Sequence, residues 1–264
     1  MIDVRRLARG IYWERAWSLV ERCTRVSDGC KNCWAQAGHD RWKRSDKVTP
    51  RPDRLEQPLR RRKPTVYAIW DDLFHDAVPF EFIRGAFAVM SLAERHRFIV
   101  LTKRSKRARI VLENIHFKDC AWPLPNVILG TSVETCDYGW RIDELLACPA
   151  ACRMLSLEPL LGPVDLDGRS DPRRPGVQHW DYLNKETGHV HTVPNWVVVG
   201  AETGPHRRPC KLAHVESIAG QCRDAGVPCY VKALDIDGKL VVSMDDPRWP
   251  TWAPRELPGL IEVT

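Results

Sequence analysis

Nowhere in the 264 residues does an apolar run approach the roughly 18 that a membrane-spanning helix needs. Residues 1–30 also lack the apolar core of a secretory signal, so the expectation is a cytoplasmic protein with no membrane partner. Sixteen Gly and twenty Pro follow no collagen-like period, and no internal repeat or low-complexity tract is present. No H-E-x-x-H occurs, nor the H-x-E…P-C-x-x-C arrangement of nucleobase deaminases, which argues against a zinc-dependent hydrolase or deaminase. Ten cysteines are too few for a disulfide scaffold in a chain this long. In a reducing compartment they must be core packing, nucleophiles or metal ligands.

What is present is the composition of a globular protein, 44% hydrophobic and 28% charged. Short apolar runs rich in β-branched residues occur at Thr65–Trp70, Arg97–Thr102, Asn126–Gly130, Arg153–Leu157, Trp196–Gly200 and Pro228–Lys232. Continuous runs of this length are what strands buried on both faces look like, hence a parallel sheet. A further first strand is expected near Ala16–Val20. Helical spacing of apolar residues lies between them, over Phe80–Glu94, Lys106–Ile115, Trp140–Ala147 and Leu212–Ala225. Alternation of this kind makes right-handed βαβ units, and the expected fold class is α/β, a partial (β/α) TIM-like barrel. An open doubly wound sheet is the competitor. Residues 1–244 read as one barrel domain and 245–264 as a C-terminal tail packed on it. Thr49–Lys63 reads as a surface loop, and 167–195 as a lid-like insert, long for a βα connection.

Cys23, Cys30 and Cys33 form C-x6-C-x2-C, with Ser27, Asp28 and Gly29 making a turn between the first two. Three thiolates on one loop suit a soft metal centre. A closed structural zinc needs a fourth ligand, from His39 or a distant cysteine. A [4Fe–4S] cluster can instead take three and leave one iron open, and plain core packing is the third alternative. Among Cys120, Cys136, Cys148, Cys152, Cys210, Cys222 and Cys229 there is no C-x-x-C pair, and these read as small buried hydrophobes.

The stretch from Trp17 to Gln36 resembles a family of phage- and prophage-associated radical S-adenosylmethionine (SAM) proteins, a radical SAM-like group of the domain-of-unknown-function class. The likeness continues in Asp53–Leu59, Asp72-Leu-Phe-His75, Val100-Leu-Thr-Lys-Arg104, Ser132-Val-Glu134, Ser156–Val164, Val199–Pro205 and Val231-Lys232. Two departures stand out. Trp34 follows the third cysteine where the family commonly has Tyr, and the 167–195 segment is longer than usual. Some older relatives carry C-x3-C-x2-C, so the first half of the loop is wider here. The resemblance implies a radical SAM-type partial barrel with the cluster loop after the first strand. Cys23, Cys30 and Cys33 would hold a [4Fe–4S] cluster, Trp34 would flank the cofactor, and SAM would chelate the open iron. A reductant such as flavodoxin or ferredoxin would supply the electron, in the cytoplasm of a bacterial host if the chain is phage-encoded.

In (β/α) barrels chemistry sits at the carboxyl ends of strands. Charged or polar residues follow every apolar run here: Asp71 and Asp72, Lys103 and Arg104, Ser132 and Glu134, Glu158, Glu202, and Lys232. By the resemblance, Asp72 would meet the methionine amino group and Lys103 or Arg104 its carboxylate. Ser132 and Glu134 would meet the ribose, and Glu158, Glu202 and Lys232 would be catalytic residues facing the substrate. The alternative is a ring of mutual ion pairs closing the barrel mouth.

The net charge of +6 is modest, but Arg60–Lys63 and Lys103–Arg109 concentrate cations, a footprint of phosphate binding or simply a solvated face. Arg173, Arg174, His179, Trp180, His189 and His191 crowd the insert, where they could meet a nucleobase and its phosphate. Phage relatives often occur with DNA-modifying functions. The expected activity is therefore a radical SAM enzyme, an isomerase or other modifier, acting on a hypermodified nucleobase such as a thymidine derivative in phage DNA or its nucleotide. The alternative is a non-catalytic nucleic-acid-binding protein with a structural zinc or iron–sulfur site.

Overall fold

In a computed structural model of the chain, residues 2–42, 45–117, 120–166, 182–183 and 193–263 are described. The chain opens with helix α1 (Val4–Leu7), two-residue strands β1 (Arg15–Ala16) and β2 (Val20–Glu21), helix α2 (Trp34–Arg41), strand β3 (Thr49–Pro50) and helix α3 (Gln57–Arg60). Regular alternation follows: β4 (Val66–Ile69), α4 (Phe80–Leu92), β5 (Arg97–Thr102), α5 (Ser105–Glu113), β6 (Val127–Ser132), α6 (Trp140–Ala147) and β7 (Cys152–Leu157). The last elements are β8 (Trp196–Gly200), α7 (Leu212–Asp224), β9 (Cys229–Ile236) and β10 (Lys239–Val241).

Eight strands form one sheet in the order β1-β4-β5-β6-β7-β8-β9-β10, parallel up to β9 and antiparallel at β10. From β4 onward each strand lies beside the next in sequence. A doubly wound sheet must reverse its strand order at a switch point, and no reversal occurs here. The sheet instead curls into a half-barrel, and its two faces bury different residues. Tyr67, Phe98, Val100, Leu129, Leu155, Val197 and Val231 pack outward in the main core with the helices. Val66, Ile99, Ile128, Met154, Trp196, Val198 and Tyr230 fill the concave side in a second cluster. The helices bury i, i+3, i+4, i+7 stripes, as in Ile83-Ala86-Phe87-Met90 of α4 and Val215-Ile218-Ala219-Cys222 of α7.

Both chain ends close the inner side. Ile2 bridges Val263, Tyr230 Oη donates to the Leu7 carbonyl at 2.9 Å, and Tyr12 sits in edge-to-face contact with Trp13, Trp70, Trp196 and Tyr230. Gly10, at φ +74°, lies where a Cβ would come within 2.7 Å of the Lys232 carbonyl oxygen, so only glycine lets this segment run beside β9. The tail covers the other edge of β9, with Val231 N donating to the Pro254 carbonyl and Glu256 N to the Cys229 carbonyl. Among the described residues no helix is long and apolar enough to cross a membrane.

Several expectations are corrected. The first strand is Arg15–Ala16, paired with β4, whereas Val20–Glu21 turns away to pair with Thr49–Pro50. Thr49–Lys63 is not a plain loop, because it holds β3, a 3-10 turn at Pro52–Arg54 and α3. Strand β9 runs on to Ile236 and turns through Asp237-Gly238, both at positive φ, into β10. That dipeptide is a hairpin signal. Nearly all of the 167–195 insert lies outside the described residues, including Arg173, Arg174, His179, Trp180, His189 and His191. Among the other cysteines, Cys148, Cys152, Cys210, Cys222 and Cys229 are buried, Cys120 and Cys136 partly so, and none forms a disulfide.

Replacing Trp196, fully buried and donating from its indole to the Glu256 carbonyl at 2.9 Å, tests the inner cluster. Trp196→Ala is expected to cost about 3–5 kcal/mol, read as a lowered midpoint in urea denaturation.

Candidate functional site

The loop after β2 begins at a strained residue. Arg22 has φ +68°, a left-handed conformation that costs a non-glycine residue roughly 1–2 kcal/mol. Its buried guanidinium holds the turn by bonds to Asp40 at 2.5 Å, Asp46 at 3.1 Å, Gln36 and the Ser45 carbonyl. This turn delivers Cys23. A 3-10 turn over Asp28–Cys30 then presents Cys30, and Cys33 caps the start of α2.

Three carboxylates at strand ends fasten this loop. Asp72, after β4, accepts from Thr102 Oγ1 at 2.7 Å, Phe74 N at 3.1 Å, Lys103 N at 3.4 Å and Arg104 Nη1 at 2.8 Å. Those four donors fill the acceptor positions of a carboxylate. Arg104 carries the link on, reaching Cys23 Sγ at 3.5 Å and Thr24 Oγ1 at 2.6 Å. Burial, then the nearby Asp72 carboxylate, push the Cys23 thiol up to about 11 against the pull of Arg104.

Glu134, fully buried after β6, accepts from Ser27 Oγ at 2.7 Å and Arg141 Nη1 at 3.0 Å and pairs with Lys103. Gly29 packs so tightly on it that an added Cβ would sit 2.3 Å from Oε1. Glu202, after β8, accepts a bidentate pair and a backbone N–H from Arg208, and Asn32 Nδ2 at 3.1 Å. Arg208 also donates to the Asp28 carbonyl at 2.9 Å. Burial raises Glu202, but the bonds from Arg208 and Asn32 outweigh it and leave the carboxyl below its ordinary value.

Between loop and strand ends lies a cavity of about 510 Å³, within the usual range of small-molecule sites. Cys23, Cys30, Cys33, Trp34, Asp72, Lys103, Ser132, Glu158, Glu202 and Lys232 all line it. Arg104 and Glu134 stand one bond behind, through Cys23, Asp72 and Lys103. Trp34 is 63% exposed, at the rim. Lys232 Nζ pairs with Glu158 at 3.1 Å, and Trp13, Trp70 and Tyr12 furnish an aromatic wall. Ser132 and Ser156 sit side by side in register, and their hydroxyls bond to no described residue, so they are open to a ligand. Four of the strand-end carboxylates thus carry cations, namely Asp72–Arg104, Glu134–Lys103, Glu158–Lys232 and Glu202–Arg208.

Sequence reasoning missed the fastening residues Ser27, Asn32, Arg141 and Arg208. Arg141 had a signal: it shares the apolar stripe of α6 with Leu145, a position where an unpaired charge is expensive. His39 also lines the cavity; it accepts from Arg22 N through Nε2, and its Nδ1 is buried without a partner among the described residues.

Among the described residues, no three His, Cys, Asp or Glu side chains converge on one point as a metal-ion cage. A cubane cluster does not require that, because each thiolate binds its own iron and the thiols must surround a volume. The donor set fits such a group, with three free thiols of one loop facing one cavity.

Fold and site define a parallel half-barrel protein with a cysteine-walled cavity at the strand carboxyl ends. The chain belongs to the family described as Protein of unknown function (DUF5131), whose model matches residues 9–239. No curated protein and no solved structure matches the chain.

Gly29→Ala is expected to displace the Glu134 carboxylate and lower stability, whereas Gly38→Ala, with nothing within 4 Å, is expected to stabilise α2 by about 0.5–1 kcal/mol. Denaturation of both variants checks the contrast. Because Glu202 is lowered in the folded state, its stabilisation is present above the ordinary value of 4.5 and is lost as pH falls through the folded value. The stability deficit of Glu202→Gln should therefore shrink on acidification, measured by urea denaturation across pH 3–7.

Proposed function

We propose that this chain is a radical SAM enzyme whose Cys23, Cys30 and Cys33 hold a [4Fe–4S] cluster. The observation that carries the reading is that all three thiols wall one cavity with the polar ends of five parallel strands. Cys23, Cys30 and Cys33 would hold the cluster, which with SAM bound would supply one-electron reductive cleavage of the sulfonium and radical hydrogen abstraction.

The chain's own residues divide the remaining work. Asp72, Glu134 and Glu202 position the cysteine loop, and their own oxygens are engaged by Arg104, Lys103, Arg141 and Arg208. Ligand contact then falls on groups with spare capacity. The hydroxyls of Ser132 and Ser156 suit a ribose, and Trp34 at the rim flanks the cofactor. Lys232 and Glu158, paired at 3.1 Å, face the substrate as a donor and an acceptor. Trp13 and Trp70, edge-to-face at 5.0 Å, offer an aromatic surface to a nucleobase. The substrate class that fits is a hypermodified pyrimidine, in phage DNA or as its nucleotide, with isomerisation of its side group as the reaction.

Anaerobic reconstitution tests this. The expected result is about four irons per chain with matching sulfide, and 5′-deoxyadenosine on addition of SAM and reductant. Cys30→Ala should lose both. Zinc without iron, and no SAM cleavage in the presence of candidate nucleotides, points instead to a structural metal site.

A further inference from the structure

A second depression, of about 560 Å³, lies away from the cysteine cavity, at the amino end of β4 and against the edge strand β1. Arg15, Arg60, Arg61, Arg62 and Lys63 line it, together with Tyr67, and no acidic residue among the described residues does. The backbone beneath is arranged to leave these cations outward. Arg95 donates to the Leu59 and Arg61 carbonyls, and the buried His96 ring binds the Pro58 carbonyl at 2.9 Å, so the carbonyl end of α3 is satisfied without the lining cations.

Little of the positive charge is used within the protein. Arg61 donates to Thr65 Oγ1 at 2.5 Å, and Arg60 meets Glu56 at 3.5 Å with both side chains largely in solvent. Surface pairs of that kind are weak. Arg15, Arg62 and Lys63 have no partner among the described residues. Tyr67 is 4% exposed, stacks on Phe98, and its hydroxyl likewise bonds to no described residue, which leaves a neutral donor at the base of the cationic depression.

We propose that this depression holds the phosphodiester backbone of a nucleic acid. A single small anion is satisfied by two or three donors. Five cations spread over an open surface suit successive phosphates instead, which contribute affinity and position without reading sequence. The choice of nucleic acid among polyanions rests on the function proposed above; the site itself does not. The depression lies at the amino end of β4 and the cysteine cavity at the carboxyl ends of the strands, so a strand held here is gripped independently of the cavity.

The test is fluorescence anisotropy of the full chain with labelled duplexes of unrelated sequence, over a series of salt concentrations. Affinity should fall linearly on a log–log plot, equally for all sequences. Arg62→Gln with Lys63→Gln should reduce the slope by roughly 2, at about 0.9 per lost phosphate contact. Arg15→Gln, at an exposed edge position, should reduce it by about 1 and serves as the independent variant. Iron content on reconstitution should not change in either. Cys30→Ala should keep the slope, so loss of the cluster and loss of nucleic-acid binding are separately visible. Unaltered slopes in both cation variants overturn the proposal. So does binding of inorganic phosphate or of phosphatidylserine vesicles without binding of duplex.

Discussion

One loop held by three buried carboxylates is the constraint on which the cavity depends. Asp72, Glu134 and Glu202 come from the ends of β4, β6 and β8, three different strands of one sheet. Each reaches the cysteine loop at a different point, through Arg104 to Cys23, through Ser27 and Gly29, and through Asn32 and Asp28. A buried carboxylate is costly unless its lone pairs are filled, and each of these is filled by both a cation and neutral donors. The sheet therefore sets the loop's place, and the loop in turn forms the second wall of the cavity.

This division separates two kinds of charge around the cavity. Asp72, Glu134 and Glu202 are saturated by protein donors and act on the loop. Glu158 and Lys232 bind mainly each other, in a part-exposed pair facing the cavity. The pairs that point toward the loop shape the cavity, and the Glu158–Lys232 pair lines it.

Much of the fold was legible because parallel strands buried on both faces read as continuous apolar runs, and helix stripes have their own period. Arg97–Thr102 and Trp196–Gly200 are strands over the residues expected, and Trp140–Ala147 a helix. The first strand was misplaced because two residues carry too little pattern to show a period, and Val20–Glu21 found a partner in Thr49–Pro50. Strand ends were legible as positions, since a charge directly after an apolar run stands out. Which of those charges turn toward the loop was not, because the partners Ser27, Asn32 and Arg208 come from segments far apart in sequence and without periodicity. The cysteine spacing identified a shared loop, and only the folded chain shows that the loop faces the strand ends.

The contact between the chain's beginning and its last long strand carries a consequence for synthesis. Leu7 receives the hydroxyl of Tyr230, a residue 223 positions later, and Gly10 lies against Lys232. Tyr12 and Trp13, which wall the cavity, hang from this segment. A chain emerging from the ribosome exposes the cysteine loop before β9, because Cys33 precedes Cys229 in sequence. The wall of aromatic rings can settle only after β9 has been made, so the three thiols stay accessible until the pocket around them is closed.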